Sequence, residues 1–326
     1  MNYTHRIPRY RMRMNPFIEY SDDDFKAKYR FSKRFALKIV DLVKDDLSKS
    51  RQGGSICPQI QVASALRCWA RHEIQDDTAD LHGISQQMVS KLCKNVAIAL
   101  AKIACRYISM PTTLLEEECI MREFRSIAGF PSIIAEIDCT HLKIKRVGGD
   151  ASEACVNRKG YFSLNVQVIC DSNLKIRDIV AHWRGSAHDS RIFNESRIKE
   201  NGYACYSYLF TPILNPSNFR QERYNRAHIR TRNTVERCFG VWKQRFRYLL
   251  RGLYVKLSTV KTTIVALAVL HNIAIKSNQI NEELIEETEI IENQNLPLAM
   301  PPINQNSELN SRRGNVMRNR FIAENF

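Results

Sequence analysis

The sequence predicts an α/β protein in which a helical amino-terminal region precedes a region that contains strands. Residues 15–110 hold several segments whose apolar side chains recur every three or four positions, as on one face of a helix. Two later segments have the features of strands: an apolar run at 133–137 and an alternation of apolar and polar residues at 162–170. A hydrophobic content of 44% over 326 residues provides for a packed core, which excludes a chain that is disordered throughout.

The charge of the chain points to a polyanionic partner. The net charge is +15, which favours nucleic acid first and a membrane surface second. The chain has no lipidation motif and no apolar run long enough to span a bilayer, so we expect no membrane association. The ten cysteines include no Cys-x-x-Cys pair, which argues against a zinc site and against a disulfide framework. Single buried thiols in a reducing compartment are expected instead.

Composition and periodicity divide the chain into five segments. We expect a loose basic arm over 1–16, a helical region over 17–110, a connector over 111–130, a strand-containing region over 131–276 and a disordered tail over 277–326. The tail begins with an acidic run and continues in Asn, Pro and Gln, so it lacks residues for a core.

The helical region contains a helix-turn-helix pattern. A short helix over 75–81 is followed by a turn with Gly83 and by a helix that Ser85 caps, running to about residue 103. In this interpretation the polar residues at the start of the second helix face the major groove of DNA: Ser85, Gln86, Gln87, Ser90 and Lys91. The alternative is an ordinary helical hairpin in an all-α domain, because short helix pairs joined by glycine turns are common.

Asp138 follows the apolar run and is predicted to end a buried strand. A carboxylate at that place costs free energy unless it is paired, hydrogen-bonded or bound to a metal ion. Turn amides after the strand could satisfy it, since Asp is a favoured turn residue. A strand over 162–170 and a returning strand over 174–183 follow, so a three-stranded unit of one strand and a hairpin is expected.

Two later carboxylates, Asp189 and Glu236, have both structural and functional explanations. Ser186 and Asp189 are spaced like a capping box at the start of a helix. Glu236 can pair with Arg232 one turn away on a long helix, which would stabilise the helix by about 0.2–0.5 kcal/mol. The functional explanation is that carboxylates from distant segments together hold a pair of Mg²⁺ or Mn²⁺ ions that act on a phosphodiester.

The most basic part of the chain lies between residues 217 and 261, where twelve Lys and Arg residues accompany two acidic ones. A long helix over 230–250 is predicted there from an apolar stripe at helical spacing. Its basic side chains are candidates for holding DNA phosphates. These candidates are Arg230, Arg237, Lys243 and Arg245.

A series of sequence blocks in the same order resembles the PIF/Harbinger transposases and the nuclease derived from Harbinger transposases. The resemblance runs from about residue 15 to residue 275 and is carried by blocks such as Ile137-Asp138-Cys139-Thr140-His141, Val156-Asn157-Arg158-Lys159-Gly160, His188-Asp189-Ser190 and Val235-Glu236-Arg237-Cys238-Phe239-Gly240. It implies a DDE superfamily endonuclease domain over 131–276 with an RNase H-like mixed sheet and flanking helices. It also implies Mg²⁺ or Mn²⁺ as cofactor, held by catalytic carboxylates at Asp138, Asp189 and Glu236.

One block departs from the pattern of that family. The family carries an Asp in an Asp-Ser-Gly-Tyr block at the end of a strand, where this chain has Glu200-Asn201-Gly202-Tyr203 without a preceding apolar run. Glu200 is the residue that would replace that Asp as a metal ligand. Because a displacement of about 1 Å at a reacting centre can cost about a hundredfold in rate, we expect a metal-dependent DNA endonuclease with impaired cleavage.

The resemblance also bears on partners and location. It implies DNA as substrate, a separately encoded Myb-like DNA-binding partner and residence in the nucleus, while a homo-oligomer and some cytoplasmic protein stay open. Two other functions are compatible with the sequence: a catalytically inactive DNA-binding protein, and an interaction protein recruited by a partner. The missing strand favours these, whereas Asp138 and Glu236 favour the enzyme.

Overall fold

The computed structural model describes residues 13–48, 56–71, 75–149, 152–195, 212–277 and 308–326. Within these ranges the helices are α1 Pro16–Glu19, α2 Asp22–Tyr29, α3 Lys33–Leu47, α4 Pro58–Arg71, α5 Gln75–His82, α6 Gln86–Lys102, α7 Leu114–Ala128, α8 Asp189–Asn194, α9 Phe219–Arg245, α10 Tyr248–Arg251, α11 Leu257–Lys276 and α12 Glu308–Asn325. The strands are β1 Glu136–Lys143, β2 Ser163–Cys170 and β3 Ile176–Arg184. The α/β class predicted from the sequence is therefore correct.

The chain forms two compact units, each with its own core. The first unit takes its described residues from Met1–Tyr107, Lys143–Lys145 and Lys243–Gln279. The second takes them from Ile108–Leu142, Arg146–Trp242 and Ile280–Phe326. The predicted region 131–276 is divided between the two units, and α11 belongs to the first unit, where it packs against α6.

The first unit is helical, and serine caps begin several of its helices. Ser32 Oγ accepts a hydrogen bond from the Phe35 amide at 3.2 Å, and Ser85 Oγ accepts one from the Met88 amide at 3.2 Å. Helix α11 is long and apolar enough to cross a membrane by length and composition, but 67% of that window is buried. It packs against α6 and has the burial of a core helix.

Helices α5 and α6 are joined by the short turn that the sequence predicts. Gly83 has a positive φ of 62°, a backbone conformation that side chains other than glycine rarely adopt, and Ser85 caps α6. The residues proposed to face DNA lie on the exposed side of α6: Ser85, Gln86, Gln87, Ser90 and Lys91. The helix pair is confirmed as local structure, and its use as a DNA-binding motif stays a prediction.

The second unit is built around a three-stranded sheet in the order β1-β2-β3, with β2 and β3 antiparallel. This agrees with the predicted unit of one strand and a hairpin. Asp138, however, does not end β1: it is the third residue of a strand that continues to Lys143. The continuation follows from alternation, because Thr140 and Leu142 are buried while His141 is exposed.

The turn between β2 and β3 is fixed by a buried cation. Arg177 Nε donates to Asp171 at 2.7 Å, and its Nη1 atom donates to Glu116 on α7 at 2.6 Å. The guanidinium holds the pKa of the Glu116 carboxyl below its usual range. Glu123 on α7 also accepts a hydrogen bond from Asn173 at 2.8 Å. Helix α7, predicted as part of a connector, therefore holds the turn end of the hairpin.

The carboxyl-terminal helix α12 packs on the second unit. Its Ile322 is 5% exposed and lies in an apolar cluster with Phe130 and Tyr224. The prediction of a disordered tail over 277–326 is wrong for residues 308–326, because Phe321 and Ile322 bring apolar area that the cluster buries. Residues 278–307 lie outside the described part of the chain.

Candidate active site

The candidate site begins on β1 with two carboxylates. Glu136 and Asp138 are two positions apart, and side chains at that spacing on a strand point to the same face. The Cys139 amide donates to Asp138 Oδ1 at 2.8 Å. Helix α9 brings the third acidic side chain, Glu236, to the same region.

Arg232 on α9 joins the two elements. Its Nη2 atom lies 3.4 Å from Asp138 Oδ2, and its Nε atom lies 3.7 Å from Glu236 Oε1. One planar guanidinium thus contacts two carboxylates that are almost a hundred residues apart in the chain. The predicted pairing of Glu236 with Arg232 is present, but it forms only part of this bridge.

Asp189 is placed by a buried amide on β2. The Asn165 Nδ2 atom donates to Asp189 Oδ1 at 2.8 Å and to the Ala187 carbonyl at 3.0 Å. Asn165 is fully buried and lies beside a β-bulge, a feature that often re-aims side chains near active sites. Helix α8 begins at Asp189, two residues later than predicted.

The loop before Asp189 fits closely against β2. A Cβ atom at Gly185 would lie 2.6 Å from the Cys155 carbonyl oxygen and 2.9 Å from the Ser163 carbonyl oxygen. The Ser186 amide donates to the Ala154 carbonyl at 3.1 Å. Only a residue without a side chain permits this approach, so Gly185 fixes the position from which the chain enters α8.

The acidic groups of the site act on one another's titration. Burial raises the pKa of Glu136 to about 7, with a further increase from Asp138 and an opposing effect of Arg232. Burial also raises the pKa of Asp138; Asp189 adds to the increase, while the Cys139 amide and Arg232 lower it. The pKa of Glu236 is raised by burial and by Asp138 and lowered by Arg232. The predicted carboxylates therefore share one electrostatic environment, which contains Glu136 as well.

The carboxylate oxygens of this site are chemically suited to bind a hard divalent cation. Carboxylate oxygens are the ligands that Mg²⁺ and Mn²⁺ prefer, and Arg232 already places positive charge between Asp138 and Glu236. In the described ranges, no three His, Cys, Asp or Glu side chains lie at the separations of a metal-binding group. An ion bound by Asp138 and Glu236 would compete with Arg232 for their oxygens.

Comparison with known proteins shows which family the chain belongs to. A protein family described as "DDE superfamily endonuclease" matches residues 137–272 of the chain. This range includes Asp138, Asp189 and Glu236. The chain is 30% identical over 274 residues to "Putative nuclease HARBI1" of Mus musculus, with 78% of each chain covered. It is 29% identical over 276 residues to the protein of the same name in Homo sapiens, again with 78% of each chain covered.

The chain belongs to the family of nucleases derived from Harbinger transposases. A more distant relative is "Protein ALP1-like" of Arabidopsis thaliana, which is 21% identical over 261 residues, with 69% of this chain and 64% of the relative covered. No solved structure matches the chain.

In this Harbinger-type chain the predicted DNA-binding residues of α9 have different environments. Arg230 is exposed, while Arg237 and Lys243 are half-buried. Arg245 is 1% exposed, and burial lowers its pKa to about 10. The prediction that Arg245 binds DNA phosphates is wrong, because a phosphate in solvent cannot reach a guanidinium enclosed to that degree. The block around Glu200 lies outside the described residues.

The sequence does not by itself assign the roles that three residues have in this site. Glu136 could have been found, since a carboxylate two positions from Asp138 on a strand must share its face. Asn165 and Arg232 carried no such signal, because their contacts with Asp189 and Asp138 bridge segments that only the tertiary structure brings together.

Proposed function

We propose that this chain is a divalent-metal-dependent DNA endonuclease that hydrolyses phosphodiester bonds. The observation that carries the proposal is the contact of one guanidinium, that of Arg232, with both Asp138 and Glu236. Asp189 lies close enough to raise the pKa of Asp138. Gathering like charges in a partly buried place costs free energy, and such arrangements are concentrated at functional sites.

In this proposal Asp138, Asp189 and Glu236 hold the metal ions, whose chemistry is to activate a water molecule and to stabilise the leaving oxygen of the phosphodiester. The residues of the chain position the reaction. Asn165 keeps the Asp189 carboxylate oriented through a hydrogen bond of 2.8 Å. Metal ions at these carboxylates would replace the contacts of Arg232 with Asp138 and Glu236, and its guanidinium could then bind a phosphate oxygen of the substrate.

Exposed cations on two helices are suited to hold the DNA. Arg230 projects from α9 on the helix that also carries Glu236. Lys91 and the polar side chains at the start of α6 form the second surface. Because phosphate contacts release counterions, this binding would weaken as the salt concentration rises.

The test is nicking of supercoiled plasmid DNA by the purified chain with Mg²⁺ or Mn²⁺. We expect slow, metal-dependent cleavage, because Glu200 stands where the family has an Asp. Asp138→Asn should abolish cleavage, since it removes a metal-binding charge, whereas the exposed control Glu118→Gln should cleave like the parent chain. Cleavage that persists in Asp138→Asn, or that needs no metal, would contradict the proposed site.

A DNA-binding protein without catalysis is the second candidate. It is favoured by Arg232, which already pairs with Asp138 and Glu236 within the chain, and by the departure at Glu200. DNA binding without any nicking would select it. We further propose, from the family membership, a nuclear location and a Myb-like DNA-binding partner, which co-purification from nuclei would test.

A further inference from the structure

The turn that precedes β2 carries two cations on a well-defined backbone. Asn157 is 6% exposed, and its Oδ1 atom accepts hydrogen bonds from the Lys159 amide at 3.0 Å and the Tyr161 amide at 3.3 Å. The Gly160 amide closes the turn on the Asn157 carbonyl at 2.9 Å, with a φ of 78° at Gly160. Arg158 and Lys159 are therefore presented to solvent by a backbone that a buried side chain fixes.

This turn lies next to the proposed active site. The Arg158 guanidinium contacts the His188 ring. His188 directly precedes Asp189, and its carbonyl accepts the amide of Ile192 at 3.1 Å at the start of α8. Arg158 therefore contacts the residue next to Asp189, whose carboxylate accepts a hydrogen bond from Asn165.

Among the described residues, the two cations form no ion pair within the chain. In the part of the chain that the structure describes, neither Arg158 nor Lys159 forms an ion pair with a carboxylate, whereas Arg177 and Arg232 each contact two. His188 cannot neutralise Arg158, because an imidazole is either neutral or itself a cation. An exposed turn that presents unpaired positive charge beside the Asp189 carboxylate is suited to a phosphate group.

We propose that Arg158 and Lys159 form a clamp that binds the DNA backbone beside the phosphodiester acted on at the Asp189 carboxylate. This inference rests on the proposed function, since it takes DNA as the substrate. The clamp gives the carboxylate site a fixed cationic neighbour, which orients the strand to be cut. It differs from the contacts of α9 and α6, because it lies on the loop that enters β2.

The experiment measures binding of a fluorescein-labelled DNA duplex by anisotropy in EDTA, over a series of KCl concentrations. The variant Arg158→Gln/Lys159→Gln removes both clamp charges. We expect weaker binding and a log–log salt dependence that is shallower by about 1.8, since each phosphate contact contributes about 0.9. The matched control is Arg122→Gln/Arg125→Gln, which removes two exposed charges from α7, the helix that contacts the opposite end of the hairpin. A salt slope equal to that of the control would overturn the clamp.

A second variant separates positioning from charge. Asn157→Ala leaves both cations but removes the acceptor of two turn amides, so we expect reduced affinity at unchanged net charge. Wild-type affinity in a folded Asn157→Ala chain, verified by thermal melting, would overturn the positioning role.

The binding and nicking assays test the clamp and the proposed endonuclease function separately. Because binding in EDTA involves no cleavage, a chain that nicks DNA but shows no effect of the clamp variants would overturn the clamp alone. A chain that shows the slope change but never nicks DNA would support the clamp and overturn the endonuclease. A parent chain that does not bind the duplex would overturn the clamp, and the nicking assay would then decide the endonuclease separately.

Discussion

Asn165 donates a hydrogen bond of 2.8 Å to the Asp189 carboxylate from a fully buried position on β2. We predict that Asn165→Ala lowers the affinity for Mn²⁺ by about 10–100-fold, the usual effect of removing a residue that orients a metal ligand. Isothermal titration with MnCl₂ measures this affinity. The matched control is Asn173→Ala, which removes an amide donor bonded to a carboxylate at the same 2.8 Å, but at the turn of the hairpin. Equal affinities for the two variants would show that Asn165 does not orient Asp189.

Glu136 makes the stability of the chain depend on pH. Burial raises its pKa from 4.5 to about 7, so the folded state binds the proton more tightly than the unfolded state does. The free energy of unfolding therefore falls as the pH rises through this window and stays lower above it, by about 3 kcal/mol at most. Glu136→Gln should remove this fall and be more stable than the parent chain at about pH 8.

Urea unfolding at several pH values measures the effect of Glu136→Gln. The exposed control Glu118→Gln should follow the parent chain at every pH. If the parent chain shows no loss of stability between weakly acidic and weakly basic pH, the Glu136 carboxyl does not titrate as its burial implies.

Gly185 allows the loop before Asp189 to approach β2. Gly185→Ala should destabilise the chain by about 1–3 kcal/mol, because the new Cβ would meet two carbonyl oxygens at 2.6 and 2.9 Å and the backbone would have to shift. Gly148→Ala is the control, since its Cβ would meet no atom within 4 Å. Chemical denaturation compares the two variants, and equal stabilities would argue against the close approach.

Ile322 holds helix α12 on the second unit. Ile322→Ala should weaken this packing by about 2 kcal/mol, because it opens a cavity beside Phe130 and Tyr224. Hydrogen exchange of the α12 amides should then become faster. Val316→Ala on the same helix is the control, because Val316 is 68% exposed and its truncation leaves no cavity. Unchanged exchange in Ile322→Ala would mean that other contacts carry the docking.

Local sequence signals predicted the elements that depend on local chemistry. The Ser85 cap, the α5–α6 turn and the β2–β3 hairpin all follow from residues close together in the chain. The start of α9 was predicted eleven residues late, at Arg230 instead of Phe219, because the segment before it is polar and lacks an apolar stripe. Contacts across the second unit, such as Arg232 with Asp138, had no local signal.

Arg245 shows how charge composition can mislead. Arg245 lies in the most basic segment of the chain, so composition alone predicts an exposed position for its side chain. Its helical spacing indicates burial instead, because Arg245 follows the buried Val241 by four positions and the buried Trp242 by three on α9. Periodicity describes which face of a helix is enclosed, whereas composition describes only the segment as a whole.

The position of Arg232 between two carboxylates bears on how the newly made chain folds. Since its guanidinium offsets part of the repulsion between Asp138 and Glu236, the second unit does not depend on a metal ion to tolerate these charges while the new chain folds. In the proposed metal-dependent enzyme, folding and metal loading would then be separate events, in contrast to small domains in which the metal supplies the folding energy. We expect the chain to be folded in EDTA and to melt there in a cooperative transition, and a chain that is unfolded in EDTA at room temperature would contradict this. If the chain is the proposed metal-dependent endonuclease, a cell short of divalent cations would accumulate folded, inactive chains that become competent when the ions return.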